Sequence, residues 1–195
     1  VGVIALAAIN LAGKADRPAF NVTSVRPDVT VDAFAVMEKV KQLLKDSKPG
    51  DAANILGALD LLDQVLVAYP RFGYGMRLKA HLQRGLRKPG QAITSYEQYL
   101  ETFPQDQRTM LTLAQMYLAA EQAEKARPLL QVILADNPLY AEAHKVMAET
   151  YDALGESQWA LDSRARHKSL AASGKGRKPA SLFLSDLPAD ADKTP

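Results

Sequence analysis

A proline stands at position 70, another at 104 and a third at 138, each 34 residues from the last. Alanines keep the same interval at Ala58, Ala92, Ala126 and Ala160. A second alanine series runs Ala80, Ala114, Ala148, and Tyr117 and Tyr151 are again 34 apart. A fixed period of this length restricts the chain to one supersecondary unit repeated in tandem, each copy burying its apolar face only against its neighbours. Within the period the apolar residues fall at helical spacing, as in Ala126, Leu129, Leu130, Ile133, Leu134 and in Leu59, Leu62, Val65, Leu66. Each of these helices runs into one of the phased prolines, which lacks a backbone N–H and clashes with the preceding turn, and so closes it. The unit predicted is a helix–turn–helix ended by proline, with small alanines where two helices approach closely.

This pattern resembles the tetratricopeptide repeat family. The matching residues are the small residue of the first helix (Ala80, Ala114, Ala148), the aromatic near its end (Tyr117, Tyr151), the alanine early in the second helix and the closing proline. The likeness covers about residues 50–170 and implies an all-α, right-handed superhelix of stacked hairpins. Several positions depart from it. The upstream pair keeps Ala58 and Pro70, but Asp46 stands where the small residue belongs and the turn "DSKPGD" comes early, so residues 32–72 are read as an irregular, capping-type unit with Asp51 as N-cap of its second helix. The middle unit lacks the aromatic and is read with one extra loop residue. Pro128 is placed in the first turn or so of a second helix. The last unit has Arg164, His167 and Lys168 where earlier units are apolar, as a terminal repeat with nothing stacked on it requires. The regular units are drawn at 73–106, 107–140 and 141–172, within a repeat domain of 32–170.

Outside the repeats, residues 1–12 are apolar except Asn10. They read either as the tail of a signal anchor or membrane helix, or as a short buried helix or strand or the remnant of a cleavable signal. Twelve helical residues span only ~18 Å, so a crossing segment would need further apolar residues before Val1. Residues 13–31 read as a linker that includes the sequon "NVT" at Asn21. Residues 173–195 read as a polar tail rich in Gly, Pro, Ser and charge, apart from "SLFL" at 181–184. The chain of 195 residues has no cysteine, which excludes disulfides, thiolate zinc sites and cysteine nucleophiles.

No catalytic signature stands out: there is no glycine-rich phosphate loop, no paired-histidine helix and no nucleophile elbow. His81, His144 and His167 lie in separate units, so neither a metal nor a cofactor is expected. The pointed signal is charge. From Arg71 to Gly90 there are six Lys or Arg (Arg71, Arg77, Lys79, Arg84, Arg87, Lys88), one His and no acid. On a helical wheel Arg77, His81 and Arg84 share a sector with Tyr74 beside it, while Leu78, Leu82 and Leu86 take the neighbouring, core-facing sector. The resemblance implies that first helices line a concave groove. The groove would then hold Tyr74, Arg77, His81 and Arg84, continue through Arg108, Leu111, Gln115 and Leu118, and end at Glu142, Lys145, Glu149 and Asp152. Arginine grips carboxylates through paired hydrogen bonds, which suits an acidic or C-terminal segment of a partner; a solvated basic face is the plainer alternative. Thr112, Glu142 and Val146 occupy slots where a chaperone-tail clamp needs an amide or a base, so heat-shock-protein tails are not expected. A second basic stretch, Arg164 to Lys178, contains no acid and suits either anionic lipid headgroups or solvent. Nucleic acid is disfavoured by the formal net charge of +2 and by the absence of any reading module. Trp159 is expected to pack between units.

The reading that follows is a non-catalytic interaction scaffold, an accessory subunit or assembly adaptor of a membrane-associated complex, gripping protein segments in its groove. If residues 1–12 anchor it, the repeat domain belongs in a bacterial periplasm. The alternatives are a transient chaperone-like assembly factor of the cytochrome c maturation type and a cytoplasmic adaptor.

Overall fold

The computed structural model describes residues 32–46 and 52–176. The expected anchor segment, the linker, Asp51 and the tail beyond Gly176 lie outside the described residues. Among the described residues the chain is a succession of eight helices: α1 (Ala33–Asp46), α2 (Ala52–Ala68), α3 (Gly73–Gly85), α4 (Pro89–Thr102), α5 (Gln107–Ala119), α6 (Ala123–Asp136), α7 (Ala141–Ala153) and α8 (Ser157–Ser173). The architecture is all-α. None of these helices is long and apolar enough to cross a membrane.

The phased residues do what their chemistry dictates. Helices α2, α4 and α6 each end two residues before a proline: Ala68 before Pro70, Thr102 before Pro104, Asp136 before Pro138. Ala58, Ala92, Ala126 and Ala160 are all fully buried where paired helices close on each other. Leu130 and Ile133 are also fully buried, each contributing about 1.5–3 kcal/mol relative to exposure.

The turns within the regular hairpins repeat too. Arg87 (φ 55°), Glu121 (φ 58°) and Gly155 (φ 76°) stand in the left-handed region at equal phase. The next amide closes back on the preceding helix each time: Lys88 N to Gln83 O (3.0 Å), Gln122 N to Tyr117 O (2.8 Å) and Glu156 N to Tyr151 O (2.8 Å). The extra loop residue expected in the middle unit is therefore absent, because a Schellman-type closure of the same length ends all three first helices. Pro128 lies deeper than expected, as the sixth residue of α6 rather than in its first turn. Its ring sits on the exposed side of that helix.

Packing follows chain order, each hairpin stacking on the next. One contact departs from that order: α5 also packs directly on α7, whereas no comparable packing joins the second helices to one another. At α5 and α7 the first helices approach more closely than the second helices beside them, which bends that part of the array toward the first-helix side, the concave face. Two apolar clusters form the core. One gathers α1, α2 and residues Tyr74, Leu78 and Leu82 of α3; the other runs from Ala80 and α4 to Val146 and Met147 of α7. Helix α3 carries both, one on each side. The outer end of α8 is closed by charge: Arg164 and His167 stand 34 residues after the buried Leu130 and Ile133, and Arg164 pairs with Asp152. Trp159 does not pack between units. It is 59% exposed and stacks on Tyr151, with ring centroids 6.3 Å apart.

Candidate functional site

The concave face is built from first-helix positions that recur every 34 residues. One row is Tyr74, Arg108, Glu142; a second is Arg77, Leu111, Lys145; a third is His81, Gln115, Glu149; a fourth is Arg84, Leu118, Asp152. The structure separates these residues by depth. Tyr74, Arg77 and Leu111 are buried; His81, Arg84, Arg108, Leu118 and Glu142 are half-buried; Gln115, Lys145, Glu149 and Asp152 are exposed. The basic strip predicted on α3 is thus not an open patch along its whole length. Its upper half, Tyr74 and Arg77, is interior.

The reason is a polar knot that joins three helices. Asp106 ends the loop after Pro104 and caps α5: its Oδ1 accepts from the backbone N–H groups of Arg108 (3.1 Å) and Thr109 (3.2 Å). Its Oδ2 accepts from the hydroxyls of Tyr99 on α4 (2.7 Å) and Thr109 (2.9 Å). The Arg77 guanidinium reaches in from α3, with Nη1 3.7 Å from Oδ2. Asp106 is 1% exposed and Arg77 7%. A carboxylate sealed this deeply persists because its lone pairs are all engaged and a cation lies beside it. Burial pushes the Tyr99 phenol well above the ordinary tyrosine range, and the Asp106 charge and hydrogen bond push in the same direction. Tyr74, Tyr96 and Tyr140, which flank the knot, are also raised by burial, opposed by Lys41 and Arg77 at Tyr74 and by nearby arginines at the other two. Sequence reasoning missed Asp106, Tyr99 and Thr109. The local signal was an aspartate two residues after a helix-ending proline, an N-cap pattern.

Below the knot the face opens. Arg84 Nη2 lies 3.3 Å from His81 Nδ1, so two basic side chains are held together at the lower end of α3. On α7, Lys145 pairs loosely with Glu142 at 3.4 Å, and Asp152 is engaged by Arg164. Glu149 has no ion-pair partner among the described residues. His144 and His167 serve structure: the first hydrogen-bonds the Pro138 carbonyl (2.9 Å), and the second holds the Ala141 carbonyl (2.8 Å), latching α8 to the start of α7. Among the described residues no group of His, Asp or Glu is placed to hold a metal ion.

With this geometry in hand, the chain can be set beside known proteins. Residues 83–156 match the tetratricopeptide repeat family model. These are tetratricopeptide repeats. The fold is shared with solved structures of MamA. One is MamA from residue 41 to its end, from Desulfovibrio magneticus RS-1, with a TM-score of 0.64 and 16% identity over 74% of this chain and 78% of that one. A crystal structure of MamA protein gives a TM-score of 0.63 and 18% identity over 72% and 73% of the two chains. Another gives a TM-score of 0.58 and 21% identity over 62% and 71%. At such identities the likeness is one of fold. No curated protein matches by sequence. Tetratricopeptide repeats build protein–protein interaction scaffolds, and the chain is such a scaffold.

Proposed function

We propose that the chain is a non-catalytic accessory subunit or assembly adaptor of a membrane-associated complex. Its first-helix groove holds an acidic or extended segment of a partner protein. The observation that carries this reading is the placement of charged and amide side chains at equal phase on the concave side: His81 and Arg84 on α3, Arg108 and Gln115 on α5, and Glu142, Lys145 and Glu149 on α7. Tyr74, Arg77 and Leu111 contribute from beneath, supporting the face rather than touching the partner.

Membrane association would come through residues 1–12 and set the domain in the bacterial periplasm. The exposed Arg166, Lys168 and Lys175 at the end of the array suit a negatively charged surface nearby. The test is recovery of partners from native membranes in mild detergent. The wild-type chain should bring down a partner in fixed stoichiometry that survives washing. Arg84→Glu with Arg108→Glu should lose it while retaining the helical circular dichroism of the wild type. Undiminished recovery by the double variant would reject the groove as the binding face.

A further inference from the structure

The two lower rows of the groove share a feature that a solvated surface does not require. Across the equally phased positions His81, Gln115 and Glu149, the side chain passes from base to amide to acid. Across Arg84, Leu118 and Asp152 it passes from base to aliphatic to acid, in the same direction. An ordinary exposed helix face mixes signs within one helix, three or four residues apart. In these two rows sign is sorted by repeat, and with Asp152 held by Arg164 the direction runs from His81 and Arg84 on α3 to Glu149 on α7, while Lys145 pairs with Glu142 in the rows above. The residues are held for it. Arg84 and His81 are in contact on α3, Gln115 is exposed and Leu118 half-buried on α5, and Glu149 stands exposed on α7.

Packed helices lie ~8–10 Å apart. Helix α5 packs on α7, while α3 reaches α5 through the Arg77–Asp106 pair and so stands at least as far away. The rows therefore span roughly 20 Å or a little more, the length of about six or seven residues of extended chain at ~3.3 Å each.

We propose that the groove reads a charge register: an extended partner segment carrying Asp or Glu at one end, over Arg84 and His81, and Lys or Arg six or seven residues away, over Glu149. Small or aliphatic residues between them lie on Gln115 and Leu118. The inference rests on the groove reading above and names its ligand chemistry. A uniformly acidic segment meets repulsion at α7, and a uniformly basic one meets it at α3.

The test uses the full chain and fluorescent peptides of identical composition, followed by anisotropy at low salt. One peptide has acids and bases segregated to its ends, one has them interleaved, and a third replaces all charges by Gln and Asn. The segregated peptide should bind about tenfold tighter than the interleaved one, the combined effect of two partly desolvated charge contacts. Arg84→Glu and Glu149→Lys should each erase that preference. The triple variant His81→Glu, Arg84→Glu, Glu149→Lys should restore it, because α3 then presents acids and α7 a base at the position of Glu149, and the peptide binds reversed end for end. Equal binding of segregated and interleaved peptides, binding of none of them, or no restoration in the triple variant would overturn the proposal. So would concentration-dependent dimerisation abolished by Arg84→Glu, which would assign the row to a second copy of the chain. Loss of partner recovery from membranes with no discrimination among peptides would reject the register and leave the groove reading standing. Intact recovery would reject both.

Discussion

Asp106→Ala removes one side chain and strands four partners at once. The Tyr99 and Thr109 hydroxyls lose their acceptor, the first turn of α5 loses its cap, and the Arg77 cation is left buried with its counter-charge gone. Removing one partner from a buried ion pair costs about 3–5 kcal/mol, and a lost N-cap about 1 kcal/mol on its own. These effects share atoms and do not add, so the whole change should be about 3–5 kcal/mol. For a chain of this size that is a fall of about 10 °C in the unfolding midpoint. Thermal and urea unfolding followed by helical circular dichroism measure it. Hydrogen exchange should place the loss in α3 to α6, because repeats transmit stability to nearest neighbours. Asp106→Asn, which keeps an acceptor for the cap, should cost about 1 kcal/mol less. Arg77→Met combined with Asp106→Ala should be milder than Asp106→Ala alone, since no buried cation remains. A change below about 1 kcal/mol for Asp106→Ala, or an Arg77→Met effect that simply adds, would refute the claim that the pair is held by mutual burial.

Three further outcomes are expected. Gln83 occupies the position that Tyr117 and Tyr151 fill in the next two repeats, and its Oε1 is buried without a hydrogen-bond partner; Gln83→Leu should therefore stabilise the chain by about 1–2 kcal/mol in urea titration. Glu121 stands at φ 58° at the phase where Gly155 closes the following hairpin, so Glu121→Gly should raise stability by about 0.5–1 kcal/mol, and no gain would show that the left-handed turn is not strained. Tyr74, Tyr96, Tyr99, Tyr117 and Tyr140 are all raised above the ordinary value of 10.0 by burial. A raised folded value favours the native state below the unfolded pKa, and that advantage is lost as pH climbs from about 10 toward the folded values. Tyrosinate absorbance and loss of helix should then rise together above about pH 10, and ionisation of these tyrosines with the helices intact would contradict it.

The proline and alanine series made the unit, its length and its helix ends legible before any coordinates. Those features are set by residues a few positions apart: a proline stops the helix behind it, and an alanine admits a neighbour wherever it sits. The closing turns were less legible. Only one of the three left-handed residues is glycine, so the equivalence of Arg87, Glu121 and Gly155 shows in backbone angles and not in residue type. Trp159 was misplaced for a related reason. Its phase equals that of Lys125, which lies over the Tyr117 ring at 5.5 Å. The position covers an aromatic ring from the solvent side in both repeats.

By itself, then, the sequence determined the repeat, the helical content and which residues share a helix face, because each of these follows from spacing along one segment. Depth was decided only by the tertiary structure. On the wheel Arg77 and Arg84 are the same residue on the same face, yet one is buried and the other half-exposed. What separates them is Asp106, which arrives from the following repeat and neutralises Arg77 alone. A charge enters the interior only where a partner of opposite sign is folded against it.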